Sequence, residues 1–97
     1  MIKIKRNASF ADISRSYQLI LDGVVIGELN NGQHASYEVP IGVHELQLKM
    51  DGFKSNKIEF ETTDEDIHFE CGNNCSGKSM LYTLFMKDGY IWLKRMD

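Results

Sequence analysis

The sequence predicts an all-β protein: an antiparallel β-sandwich of about seven short strands, with at most one short helix near residues 79–87. Two observations carry this. Apolar and polar residues alternate in a series of short runs, the signature of strands with one buried face. Turn signals separate the runs: Asp22-Gly23, Asn31-Gly32, Pro40-Ile41-Gly42, Asp51-Gly52 and Asp88-Gly89. Ninety-seven residues without an internal repeat or low-complexity linker make one domain, residues 1–97.

Residues 1–6 set Ile2 and Ile4 on one face and Lys3 and Lys5 on the other. This predicts a half-buried strand near a sheet edge, where lysines discourage stray pairing. Residues 7–15 have no sustained period and read as a loop. Tyr17, Leu19 and Leu21 line one face of the next strand, and Asp22-Gly23 suits a two-residue type I′ hairpin, in which both residues take positive φ. The return strand, residues 24–29, contains Gly27, which predicts a bulge or a close backbone approach. Residues 34–39 point Tyr37 and Val39 inward and Glu38 outward, and Pro40 ends the ladder because it has no backbone donor.

His44, Leu46, Leu48 and Met50 share a face opposite Glu45, Gln47 and Lys49, the strongest period-two signal in the chain. Residues 57–61 and 67–71 make two further strands, the first with Ile58 and Phe60 inward, the second with Ile67, Phe69 and Cys71. Residues 72–78 read as a glycine- and asparagine-bearing loop. Residues 79–87 fit a helical face through Leu81, Leu84 and Phe85, and their aromatic content also fits a strand. Residues 90–94 form a last strand, Ile91 and Leu93 on one side and Tyr90 and Trp92 on the other.

Composition excludes some functions. The chain is 42% hydrophobic and 26% charged with a net charge of −3, an ordinary globular balance. A pI near 5.5 argues against nucleic acid as a partner, which calls for a basic excess. The first ten residues lack the apolar core of a signal peptide, and the longest near-continuous apolar run, residues 80–86, falls far short of the ~20 residues that span a bilayer. A cytoplasmic location is the expectation. Two cysteines, Cys71 and Cys75, do not make a disulfide framework.

Residues 72–79, GNNCSGKS, fit the phosphate-loop pattern G-x-x-x-x-G-K-[ST] at every fixed position. In such a loop backbone amides cradle phosphates at a helix N-terminus, the lysine neutralises them and the hydroxyl holds magnesium. The surroundings do not match. That loop belongs to a parallel sheet with crossover helices, and no later apolar strand here ends in an aspartate to hold the metal. A glycine-rich connection is the better reading, with no cofactor expected.

Cys71 and Cys75 have a C-x-x-x-C spacing but no second compact pair to complete a zinc site, and His44 and His68 fall on inward and outward registers. No nucleophile elbow G-x-S-x-G is present. Glu59, Glu61, Asp64, Glu65, Asp66 and Glu70 lack the calcium-loop pattern and read as a solvated acidic face. No catalytic or metal-ligating residues are assigned.

Basic residues gather near the ends: Lys3, Lys5, Arg6 and Arg15, then Lys78, Lys87, Lys94 and Arg95. If the ends are adjacent in a sheet, one face is basic and another acidic, which favours an acidic partner or head-to-tail self-association. The apolar segment 80–92 either closes the core or offers a surface to a protein partner, a dimer mate or a membrane. Its candidate contact residues are Leu81, Phe85, Tyr90 and Trp92.

The central stretch resembles the PEGA-type and carboxypeptidase-regulatory, prealbumin-like small bacterial β-sandwich modules. The residues that carry the resemblance are Leu21-Asp22-Gly23 with Gly27, then Pro40-Ile41-Gly42-Val43-His44-Glu45-Leu46, then Asp51-Gly52-Phe53. The layout also resembles short uncharacterised bacterial proteins with an apolar C-terminal segment ending in an aromatic strand. The resemblance implies an immunoglobulin-like or prealbumin-like sandwich and a noncatalytic binding or spacer role, with no catalytic residues to carry over. The functional expectation is therefore a soluble noncatalytic interaction or structural module with a protein partner, a homodimer mate included. The alternatives are a small nucleotide-binding protein using residues 72–79, or a peripheral membrane module using residues 80–92.

Overall fold

A computed structural model describes residues 1–8, 15–73 and 90–96. The described residues form nine strands and no helix: β1 (Ile2–Arg6), β2 (Tyr17–Leu21), β3 (Val24–Leu29), β4 (His34–Tyr37), β5 (Gly42–Met50), β6 (Phe53–Lys54), β7 (Ile58–Thr62), β8 (Ile67–Asn73) and β9 (Ile91–Arg95). They make two sheets. One has four strands in the order β4-β1-β8-β9; the other has five, β3-β2-β5-β6, with β7 also pairing β5. The fold is all-β and sandwich-like, as the sequence predicts.

Alternation explains the layering. Ile2, Ile4, Phe69, Cys71, Ile91 and Leu93 project from the four-stranded sheet and are buried. From the other sheet Tyr17, Leu19, Leu46, Leu48 and Phe60 are buried in the same core cluster. Each fully buried aliphatic side chain contributes about 1.5–3 kcal/mol. The turns follow their chemistry. Asp22 and Gly23 both take positive φ, 51° and 81°, as the β2–β3 hairpin requires. The register slips between Leu19 and Ile20, so Leu19 faces Gly27 while Ile20 faces Val25, the bulge expected at Gly27. A Cβ on Gly27 would also lie 2.2 Å from the Tyr37 hydroxyl.

Three placements differ from expectation. β1 is an interior strand, antiparallel to β4 and parallel to β8, so its lysines stand on an open face rather than along an edge. Arg6 continues the inward row of Ile2 and Ile4 and is only 1% exposed. Its guanidinium lies 3.7 Å from the centre of the Tyr17 ring and donates to the carbonyls of Arg15 and Leu29 at 2.6 and 2.8 Å, which removes it from the basic surface. Gly72 and Asn73, read as the start of a loop, extend β8 and pair with Trp92 and Ile91. The remainder of that loop, the possible helix at 79–87, Leu81 and Phe85 lie outside the described residues.

β6 and β7 lie along one edge of β5, interrupted at Ser55 and Asn56. Ser55 is 2% exposed and fills the gap: its amide donates to Leu48 O at 2.9 Å, and Leu48 N donates to Ser55 Oγ at 2.8 Å. Asn56 turns the other way, its amide group bonding the backbone of Leu93 in β9. The two sheets are thereby tied at this corner, and Ser55 also forms a parallel bridge with Ile91.

Candidate functional site

The outer face of the four-stranded sheet is built from positions that alternation turns away from the core. β1 supplies Lys3 and Lys5, β4 His34 and Ser36, β8 His68 and Glu70, β9 Trp92 and Lys94. Register sets them in rows: Lys3 faces His68 and Ser36, Lys5 faces Glu70 and His34, and Glu70 faces Lys94. A hollow of about 560 Å³ is lined by Lys3, Lys5, His34, Ser36, His68 and Glu70, with Met96 at its rim.

Its charge is mostly positive. Lys3 Nζ approaches Asp66 at 3.3 Å, an exposed pair worth little in water. Glu70 stands between Lys5 and Lys94, one carboxylate between two ammonium groups. A cationic hollow between strands is suited to an acidic surface, because complementary potential steers encounter and sets register.

A second constellation sits at one end of the five-stranded sheet. His44 Nδ1 lies 2.6 Å from Asp22 Oδ2, and its Nε2 lies 2.7 Å from the carbonyl of Pro40. Asp22 Oδ1 accepts the Glu45 amide at 2.9 Å, and the buried Thr62 hydroxyl donates to the same Pro40 carbonyl at 2.6 Å. The hydrogen bond that the His44 ring donates to Asp22 raises the His44 pKa above its ordinary value, and the same bond holds the Asp22 carboxyl below its own. An aspartate–histidine pair resembles half of a catalytic triad. Here the second ring nitrogen faces a carbonyl rather than a nucleophile, so the imidazole has no free nitrogen to take a proton from a substrate.

Of the residues singled out in the apolar segment, Tyr90 and Trp92 are described. Tyr90 is 8% exposed, its ring 4.6 Å from that of Phe53. Trp92 is half-buried and its indole covers Gly72. Leu81 and Phe85 lie outside the described residues. Cys71 is buried, and desolvation pushes its thiol up to about 12. His68 is exposed on the outer face while His44 lies inward, so the structure does not bring these two together. Among the described residues no three His, Cys, Asp or Glu side chains are grouped to hold a metal ion. No helix among them is long and apolar enough to cross a membrane.

Sequence reasoning saw the outward register of Lys3, Lys5 and His68 and missed Ser36 and His34 as their neighbours. It also missed the Asp22–His44 pair. The available signal was a histidine at an inward position of an otherwise apolar strand, with an acidic turn residue elsewhere to meet it. Compared with known proteins, the chain matches no protein-family model, no curated protein and no solved structure.

Proposed function

We propose that this protein is a noncatalytic interaction module that receives an acidic protein surface on the outer face of its four-stranded sheet. The observation that carries the reading is the lysine excess of this face: Lys3 and Lys5 line the hollow beside one carboxylate, Glu70, and Lys94 stands beyond it. The engagement of both His44 ring nitrogens, by Asp22 and by the Pro40 carbonyl, supports a noncatalytic reading of this aspartate–histidine pair. A two-sheet layout closed by short turns at Asp22-Gly23 and Pro40–Gly42 suits a scaffold that works through surface contacts.

A fluorescein-labelled oligoglutamate peptide is the test probe. Binding at low ionic strength that weakens with added salt and disappears in a Lys5→Glu/Lys94→Glu variant is expected. Absence of binding at low ionic strength, or equal binding by the folded double variant, counts against the reading. Light scattering of the protein alone separates self-association from capture of a different partner, because a second copy presents Glu59 and Glu61 on the exposed face of β7.

A further inference from the structure

We infer that His44 is held as an imidazolium that cross-links the two turns at one end of the five-stranded sheet, so that loss of its proton opens this link between them. The argument is one of donors and acceptors. Asp22 Oδ2 and the Pro40 carbonyl are both acceptors, and both lie within 2.7 Å of a ring nitrogen. Neutral imidazole has one N–H and one lone pair, so it satisfies one of these contacts and sets lone pair against lone pair at the other. Only the doubly protonated ring donates to both. The Pro40 carbonyl is also saturated, because the Thr62 hydroxyl takes its second lone pair.

The charge that favours the cation comes from one side. The β2–β3 turn contributes the Asp22 carboxylate. On β5 itself, Glu45 follows His44 and pairs with Lys57 at 3.6 Å. From β7 comes the ring of Phe60, 6.0 Å away and tilted, flanked by Glu59 and Glu61 on the opposite face of that strand. The 40–42 turn brings no charged side chain. Of the four carboxylates only Asp22 touches the ring; Glu45, Glu59 and Glu61 stand on the other face of their strands.

The turns so joined are not bland. Val24 and Val25 follow the Asp22-Gly23 turn, and Ile41 and Val43 flank Gly42; they are 63, 53, 75 and 62% exposed. These four are most of the large hydrophobic side chains that the described residues leave in water. In the imidazolium form the two turns are locked to one another, and the apolar surface they carry has a fixed shape. In the neutral form one of the two hydrogen bonds is lost, and the direct link between the turns opens while the Asp22–Glu45 and Thr62–Pro40 bonds remain. This inference stands apart from the acidic-partner reading, which concerns the other sheet.

The experiment is titration of the unaltered protein by long-range ¹H–¹⁵N NMR of the histidine side chains, with amide exchange protection measured at each pH. Expected results are both His44 nitrogens protonated at neutral pH, and a midpoint above the ordinary 6.5. Protection factors at Gly42 and Glu45, which divide out the intrinsic pH dependence of exchange, fall through the same midpoint. Asp22→Asn should shift the midpoint down. A midpoint at or below the ordinary value overturns the proposal, as does a single tautomer at neutral pH. Unchanged protection of both amides across the titration overturns it as well. The measurement on the unaltered protein decides the matter even if the variant does not fold.

Discussion

The side-chain amide of Asn56 pairs with the backbone of Leu93 as a neighbouring strand would. Its Nδ2 donates to Leu93 O and its Oδ1 accepts from Leu93 N, both at 2.9 Å. β9 is the last strand of the four-stranded sheet, and an uncovered edge is a template for unwanted pairing. One asparagine, placed by the break between β6 and β7, occupies part of that edge from the opposite sheet. Asn56→Ala removes both bonds and is expected to cost about 1–2 kcal/mol. Asn56→Asp sets a carboxylate oxygen against the Leu93 carbonyl and should cost more. Urea unfolding midpoints check the order, and full stability in both variants would show that the pairing is incidental.

Gly72 makes room for Trp92 across the β8–β9 ladder. A Cβ at Gly72 would stand 2.8 Å from Trp92 Cζ2 and 3.0 Å from Cε2 and Nε1, closer than carbon atoms tolerate. Gly72→Ala therefore forces the indole off its seat. Overpacking of this kind costs about 1–3 kcal/mol. Trp92 is the single tryptophan, so its emission reports the displacement directly. A red-shifted spectrum with a lowered unfolding midpoint is expected; an unchanged spectrum would mean that the ring does not cover this glycine in solution.

Periodicity made the faces legible but not the neighbours. In β5 the inward row from Leu46 to Met50 reads directly from the sequence, because an alternating strand with one wet face allows one register. In β1 the same alternation assigned Ile2 and Ile4 inward but could not say which strands flank them. The parallel pairing with β8 joins residues such as Ile4 and Phe69, which no local pattern connects. The cationic hollow depends on that pairing, so its lysines were legible singly and their convergence was not. Arg6 shows a different failure. Its register pointed inward, and its charge argued for solvent; the face of Tyr17 and two carbonyls settled the conflict in favour of burial. Turn chemistry was legible at Asp22-Gly23, since few sequences other than Asp-Gly and Asn-Gly accept two consecutive positive φ values. The break at Ser55-Asn56 was not, because a serine hydroxyl standing in for a backbone acceptor leaves no compositional trace.

Cys71 is expected to be chemically silent in the folded protein. Thiolate is the reactive form, and a thiol at about 12 in a buried site supplies almost none of it at neutral pH. With Cys75→Ser isolating the inner thiol, an aromatic disulfide reagent should label Cys71 only as fast as the sheet opens, and promptly in denaturant. Rapid labelling under native conditions would contradict the burial of β8 against the opposite sheet.

Stability should depend on pH through the Asp22–His44 pair, and the sign of each half is fixed. Asp22 is held below its ordinary 3.8, so the stability it contributes is present above that value and is lost as pH falls through its folded pKa. His44 is raised above its ordinary 6.5, so its share is complete below 6.5 and is lost as pH rises through its folded pKa. The pair is at full strength between 3.8 and 6.5, with Asp22 ionised and His44 protonated. Asp22→Asn isolates this contribution, since asparagine tolerates the φ of 51° at this position and leaves the turn intact. The gap in unfolding midpoint between the unaltered protein and the variant is expected to be widest inside that window and to narrow on both sides. The exposed setting of the carboxylate keeps the gap modest and makes it shrink with salt. A gap that stays constant from acid to alkaline pH would assign the loss to turn geometry and remove the ionic pair from the account of stability.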